Sequence, residues 1–351
     1  MSFPLEQTEP AITDSLMYRE AAETADVVAA QFDRNARASA GLGAMLRDLD
    51  PSLVFTCARG SSDHAGVYGK YLIETRLGIP VSPVGPSVSS LYGKSVKATG
   101  TVCIAISQSG QSPDLLASAR ALKAAGSHLI ALVNAEDSPL AAMADTTLPL
   151  CAGQEKSVAA TKSYLSSLAG LARLVADWSN DRALAAALAG LPEHFARAWE
   201  LDWSAAAEAL QPAGSTFVLG RGIGYGCARE AALKLKETSS LHAEAYSAAE
   251  VLHGPAALVR PGYPVLALAQ RDATHGAMKQ VLERLSGHGA SIFAAGVDGD
   301  GITPLPSLDA DPSIEPMLMI QSFYRMANTL SILRGHHPDT PPHLSKVTET
   351  V

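Results

Sequence analysis

Thr101-Val102-Cys103-Ile104-Ala105-Ile106-Ser107-Gln108-Ser109-Gly110-Gln111-Ser112 decides how the rest of the chain is read. Residues 101–106 are an apolar, β-branched run that reads as a buried strand. Residues 107–112 are a hydroxyl-rich turn, and 113–126 read as a helix. A strand that turns directly into a helix leaves backbone N–H groups unpaired at the positive end of the helix dipole. With hydroxyls beside those groups, the turn can hold a phosphate without a cluster of Lys or Arg. Serine is also a favoured helix N-cap, so this turn taken alone reads equally as an ordinary helix start.

Outward from it, strands and helices alternate. A loose leader at 1–16 precedes a helix at 17–46, where Val27, Val28 and Phe32 recur at helical spacing. Strands are expected at 53–57, 102–106, 129–133 and 147–150. Helices are expected at 64–77, 114–125, 139–144 and 159–178. This is the alternation of an α/β fold on a doubly wound parallel sheet. It then recurs, with strands at 215–219, 265–269 and 291–295 and helices at 225–241 and 274–287. Arg59-Gly60 is repeated as Arg221-Gly222, and Gln108 as Gln270, at the same separation in sequence. Two landmarks at one offset argue for a duplication. The expected architecture is therefore two tandem subdomains, 47–180 and 205–335, each a flavodoxin-like parallel sheet flanked by helices. A leader and helix (1–46) precede them, a helical connector (181–204) joins them, and a tail (336–351) follows.

The two copies differ at the turn. The second reads Ala269-Gln270-Arg271-Asp272 and lacks both serines, so one phosphate site per chain is expected, in the first half. There the first strand also ends in a Ser/Gly turn, Arg59-Gly60-Ser61-Ser62-Asp63-His64-Ala65-Gly66. Two such turns at the carboxyl ends of successive parallel strands converge on the crevice where α/β sheets bind ligands, which favours a binding site over a mere cap.

Composition narrows the alternatives. Hydrophobic residues make up 47% of the 351 and charged residues 18%, enough for a sizeable core. No apolar stretch reaches the roughly 20 residues of a membrane span, and Pro4, Glu6, Glu9 and Pro10 are unlike a secretory signal. Cys57, Cys103, Cys151 and Cys227 are scattered without a C-x-x-C pair, as expected of reduced thiols in a cytoplasm. The net charge of −8, with no basic run, points away from nucleic acid and membrane partners. No H-E-x-x-H or similar spacing suggests a metal, and no cofactor is implied.

The expected helix 225–241 carries Glu230, Lys234, Lys236 and Glu237. Glu230 and Lys234 are four apart and read as a solvated ion pair, with Glu237 on the same face. Charges in such a helix are usually its wet side. Downstream lie His242-Ala243-Glu244-Ala245-Tyr246 and Glu250-Val251-Leu252-His253-Gly254-Pro255; a lone histidine is more often structural than catalytic.

These stretches together carry a resemblance. The chain resembles the sugar isomerase (SIS) domain family, and within it the isomerase part of glucosamine-6-phosphate synthase, from about residue 17 to the end. The matching stretches are 106–110, Gly153-Gln154-Glu155 through Ala159-Ala160-Thr161-Lys162, 219–222, Ala232-Leu233-Lys234-Leu235-Lys236-Glu237, 242–246, His253-Gly254-Pro255 and the ending Leu344-Ser345-Lys346-Val347-Thr348. The resemblance implies that Ser107, Gln108, Ser109 and Ser112 hold a sugar phosphate. It implies that Ser62, Glu155 and Val158 line the sugar, with Arg59 nearby. Glu237 would move a proton between C1 and C2, with Lys234 beside it. His253 would assist ring opening from the neighbouring subunit of a homodimer. Lys346, on a tail over the site, would reach the substrate carbonyl and could form an imine there.

Two departures shape the expected activity. The synthase bears a glutaminase domain with a terminal cysteine nucleophile, whereas here Met1-Ser2-Phe3 opens the chain and no cysteine precedes Cys57. The first turn has Arg59 where the synthase usually has a small residue, so sugar contacts are expected to differ. The expected reaction is that of an aminosugar-phosphate deaminase/isomerase, turning glucosamine 6-phosphate and water into fructose 6-phosphate and ammonia. The alternatives are a synthase fed by ammonia or a partner, a related phosphosugar isomerase, and a non-catalytic phosphosugar sensor. A sensor has no use for Glu237, His253 and Lys346.

Overall fold

In the computed structural model, which describes residues 12–346, the strand-turn-helix around Ser107 lies at the centre of a five-stranded sheet. The first half runs α1 (Leu16–Ala22), α2 (Thr24–Leu49), β1 (Val54–Cys57), α3 (Gly60–Leu77), β2 (Val81–Pro83), α4 (Ser87–Ser90), β3 (Val102–Ser107), α5 (Pro113–Ala124), β4 (His128–Val133), α6 (Pro139–Met143), β5 (Thr146–Pro149) and α7 (Lys162–Ser179). The connector forms α8 (Arg182–Ala189) and α9 (Leu191–Trp199). The second half runs α10 (Ser204–Leu210), β6 (Ser215–Gly220), α11 (Tyr225–Ser239), β7 (His242–Ser247), β8 (Pro264–Leu268), α12 (His275–Gly287), β9 (Ser291–Ala295), β10 (Ile302–Leu305) and α13 (Glu315–Leu333).

The sheets are ordered β2-β1-β3-β4-β5 and β7-β6-β8-β9-β10, and every pairing is parallel. Both have the flavodoxin-like order, with the switch point between the first and third strands of each half. Gly60 and Gly222, matched in the sequence, both have positive φ (54° and 57°), so the duplication extends to backbone geometry.

Side chains alternate across each sheet. Val102, Ile104 and Ile106 face one way and Cys103 and Ala105 the other. Val218 and Leu266 likewise oppose Phe217, Leu219 and Val265. The inner faces of both sheets share one core with α2, α3, α7, α11 and α13, so the two halves bury their helices against each other. The crossing of α3 and α11 is close. A Cβ on Gly226 would stand 2.6 Å from the His64 carbonyl oxygen and 2.9 Å from the Tyr68 nitrogen. Only glycine lets the backbones meet there.

Several elements differ from expectation. The helix expected at 17–46 breaks at Glu23 into α1 and α2, and the Thr24 hydroxyl donates to the Ala21 carbonyl at the break. No element was expected at 315–333, yet α13 lies there, apolar on nearly every side and almost wholly buried. The edge strand β10 contains Pro304, which an edge tolerates and which hides a strand in sequence. Among the described residues no helix is long and apolar enough to cross a membrane.

Candidate active site

The 107–112 turn is shaped by Gly110. Its φ is +63°, and a Cβ there would fall 2.3 Å from the Ser138 Oγ and 3.0 Å from the Val133 Cγ2. The tight turn lets the Gly110 N–H donate to the Ser107 Oγ (2.9 Å) and brings the Gln111 N–H to 3.4 Å from the Ser109 Oγ. Ser112 occupies the N-cap of α5, but its side chain makes no capping hydrogen bond. The ordinary-cap reading therefore fails at this residue, whose hydroxyl is left for the crevice. That crevice, about 600 Å³, opens where the sheet order reverses between β1 and β3. Arg59, Ser62, Ser107, Gln108, Ser109, Ser112, Val158 and Lys346 all line it, drawn from four separate stretches of chain.

Two cations reach this wall. The Arg59 Nε donates to the Asp114 Oδ2 at 2.8 Å, and the Asp114 carboxylate is fully buried in the first turn of α5. The Arg59 side chain is 49% exposed. It neutralises the Asp114 carboxylate while extending positive charge to the rim of the crevice. The Lys346 Nζ donates to the Ser157 carbonyl oxygen (2.7 Å) and to the Glu155 Oε2 (3.3 Å). Glu155 is buried behind the wall, where Thr161 N–H (3.0 Å), Ser163 N–H (3.2 Å) and Ser163 Oγ (2.6 Å) also donate to it. Burial pushes its carboxyl pKa up, but the Lys346 ammonium and these donors outweigh burial and hold it below the ordinary value. Glu155 thus grips Lys346, and the carboxylate is not free toward the sugar.

The charges of α11 are not a wet face. The side chains of Glu230 and Lys234 are 0% and 1% exposed, and that of Glu237 is 19% exposed. Only Lys236 of the four points to solvent. The Lys234 Nζ lies 2.5 Å from the Glu237 Oε2 and 3.4 Å from the Glu230 Oε1. Glu230 also accepts from the Ser61 Oγ (3.0 Å) and the Tyr324 hydroxyl (3.2 Å) and meets the His64 Nδ1 at 3.0 Å. Burial alone would lower the Lys234 pKa, but Glu230 and Glu237 raise it above the usual lysine value. Glu230 is held low against its own burial, first by Lys234 and then by His64 and Ser61.

A file of buried polar groups thus runs from Ser61, on the crevice, through Glu230 and Lys234 to Glu237. Glu230, His64 and Tyr324 were missed as members, because their partners are far apart in sequence. Glu237 lies beyond the crevice lining. His253 is exposed, in the turn after β7, and does not line the crevice of its own chain. Residues 347 and 348 of the matching tail lie outside the described residues. Among the described residues no group of three or more His, Cys, Asp or Glu side chains is placed to hold a metal ion.

This geometry, a duplicated flavodoxin-like sheet with one serine-rich crevice, can be set against known proteins. The SIS domain model matches residues 50–176 and 209–302, one match in each half. The chain belongs to the SIS domain family. It is homologous to the isomerase part of glutamine–fructose-6-phosphate aminotransferase (isomerizing). The Aeropyrum pernix protein of that name is 36% identical over 307 residues, covering 82% of this chain and 49% of the relative. The chain spans about half the length of the curated relatives it matches. A solved structure of a candidate phosphosugar isomerase from Silicibacter pomeroyi aligns with a TM-score of 0.89 and 41% identity, over 93% of this chain and 100% of that one. Glucosamine-6-phosphate deaminase from Thermotoga maritima aligns with a TM-score of 0.77 over 96% and 100%, and at 23% identity it shows the shared fold alone.

Proposed function

We propose that this SIS protein is an aminosugar-phosphate deaminase/isomerase, converting glucosamine 6-phosphate and water to fructose 6-phosphate and ammonia. The observation that carries this reading is the presence at one crevice wall of an uncapped serine turn suited to phosphate and a lysine amine suited to a carbonyl. A sensor needs the first and has no use for the second.

The phosphate docks on the 107–112 turn, and Arg59 neutralises Asp114 beside it. Anchoring the far end of the sugar supplies positioning energy for the reacting carbons. Glu237 takes the proton from C2 of the open-chain aminoaldose and returns it to C1, while one amine proton passes to the C1 oxygen, leaving a hydroxyl at C1 and an imine at C2. The Lys234 ammonium, 2.5 Å from the Glu237 Oε2, holds that side chain in place. Lys346 gives up its proton to the substrate imine nitrogen, leaves Glu155 and attacks C2, so that this nitrogen departs as ammonia and a lysine imine forms. Water then hydrolyses that imine, giving the ketose and free Lys346. Each step is reversible, and with water as the abundant nucleophile the net flow is toward deamination. His253, exposed on its own chain, would act in the crevice of a second copy.

The test is purified protein incubated with glucosamine 6-phosphate while ammonia and fructose 6-phosphate are followed. Equal release of both is expected. No turnover there, with turnover of fructose 6-phosphate plus ammonia or glutamine instead, would overturn the deaminase reading in favour of a synthase.

A further inference from the structure

The peptide that receives Lys346 is itself held by a helix distant in sequence. Glu20, buried on α1, accepts the Lys156 N–H at 2.5 Å and the Ser157 N–H at 3.1 Å. Ser157 is the residue whose carbonyl oxygen receives Lys346. At the other end of α1, Asp339 accepts the Leu16 N–H on Oδ2 and the Met17 N–H on Oδ1, both at 2.7 Å. Asp339 belongs to the tail that carries Lys346, and its carbonyl accepts the Val158 N–H (3.4 Å). The contacts close a ring in which α1 grips the 156–158 segment at one end and the tail at the other, while segment and tail bond to each other. The ring is anchored to α13, where Ser15 Oγ meets Asn328 Oδ1 (2.5 Å) and Gln321 Nε2 donates to the Ala21 carbonyl (2.9 Å).

We propose that Glu20 and Asp339 are positioning residues for Lys346, and that α1 is a strut setting where its amine meets the crevice. The inference rests on the reading that Lys346 acts on the substrate carbonyl. Residues 156–158 lie in no helix or strand, so their N–H groups need other partners. Glu20 supplies them with a charged acceptor, the stronger kind. Removing its charge loosens the peptide whose carbonyl receives the amine. Asp339 offers both carboxylate oxygens to the free N–H groups that open α1, where the helix dipole favours an anion. It thereby fixes the tail a short span before Lys346, limiting how far the amine can wander. When Lys346 leaves Glu155 to react, the strut still holds the tail.

The experiment uses the full chain with Glu20→Gln and Asp339→Asn, and Glu20→Asp as the variant that keeps the charge. Fructose 6-phosphate is added with borohydride, and the reduced sugar adduct on Lys346 is counted by mass spectrometry. Hydrogen exchange of 336–346 and affinity for inorganic phosphate are measured alongside. Each charge-removing variant is expected to lower adduct formation and kcat about tenfold, the effect of one charge-assisted hydrogen bond. Tail exchange should quicken, phosphate affinity should stay unchanged, and Glu20→Asp should recover part of the loss. Wild-type trapping and wild-type tail exchange in both variants would overturn the strut. If the wild type traps no adduct and Lys346→Ala keeps its activity, the carbonyl role of Lys346 fails instead. Tail exchange in the variants then decides the strut alone. Should Glu20→Gln fail to fold, Asp339→Asn carries the same test from the other end of α1.

Discussion

The turns at 107–112 and 269–274 descend from one duplicated unit and have opposite fates. In the first, Ser112 at the N-cap makes no capping hydrogen bond, and serine hydroxyls line an open crevice. The second is filled by its own side chains. Gln270, 1% exposed, donates to the Arg221 carbonyl (2.8 Å), the Asp272 Oδ2 (3.0 Å) and the Thr274 Oγ1 (3.1 Å). The Asp272 Oδ1 accepts the Thr274 N–H at 2.8 Å and the Thr274 hydroxyl at 2.5 Å. An internal carboxylate sits at the start of α12, in the part of the repeat where the first half has the proposed phosphate turn. One scaffold therefore yields an open crevice or a self-satisfied corner according to whether side chains fill the turn itself. Relieved of binding, the second half contributes α11 and its buried charges.

The proposed division, with binding in the first half and proton transfer in the second, is most directly broken at Glu237. Glu237→Gln keeps the shape and removes the proposed base. The expected loss is roughly 10²–10⁴ in kcat, with inorganic phosphate binding as before. A kcat within twofold of wild type would show that the second half does not supply the base.

Lys234→Met should unfold more than it slows. It leaves Glu230 buried beside the protonatable His64 without its main cation, and removing one partner of a buried pair costs about 3–5 kcal/mol. The melting temperature should fall by many degrees, and Lys234→Met with Glu230→Gln should recover part of the drop. The raised Lys234 pKa fixes the sign of its pH dependence. Its contribution is fully present below the usual lysine value of 10.5 and is lost only as pH rises through the higher folded value. A stability titration from pH 6 to pH 9 should therefore show no step from Lys234, in agreement with a fixed cation and at odds with a proton shuttle.

Gly110→Ala tests the first turn alone. It places a Cβ against Ser138 at positive φ, a strain of about 1–3 kcal/mol. The half-saturating sugar-phosphate concentration should rise at least tenfold while Lys346 adducts still form at saturation. Unchanged affinity would mean the phosphate sits elsewhere.

What could be read from sequence divides along the same line. The first turn was legible because strand, turn and helix are contiguous, so residues 101–124 carry the whole pattern. The duplication was legible because Arg59-Gly60 and Gln108 recur in order. The charge file was not, since Glu230 looks like a surface residue until Ser61, His64 and Tyr324 are brought to it from other helices. The helix α13 was hidden for a related reason. An all-round apolar segment has no helical stripe to read, and its burial depends on α9, α10 and α11 packing around it. Glu20 carried no motif, and only the fold sets it against Ser157. The 17–46 helix was right in kind but missed the break at Glu23, which frees α1 to reach the tail.

Asp272→Ala probes the filled corner and should have the smallest effect. The substitution removes the acceptor of the Thr274 N–H and hydroxyl and one partner of the Gln270 amide. Thr274 stands at the N-cap of α12, half-buried, so water replaces part of what is lost and the cost should be about 1 kcal/mol. Asp272 touches neither the crevice nor α11, so kcat and the half-saturating sugar-phosphate concentration should stay within twofold of wild type. The informative measurement is phosphate binding by calorimetry. If the carboxylate alone closes the second turn, the variant should bind a second, weak equivalent of inorganic phosphate beside the one held at 107–112. If only one equivalent binds, the missing serines and the inserted Gln270 side chain are the deeper change. Asp272 then merely settled into a turn that had already lost its hydroxyls.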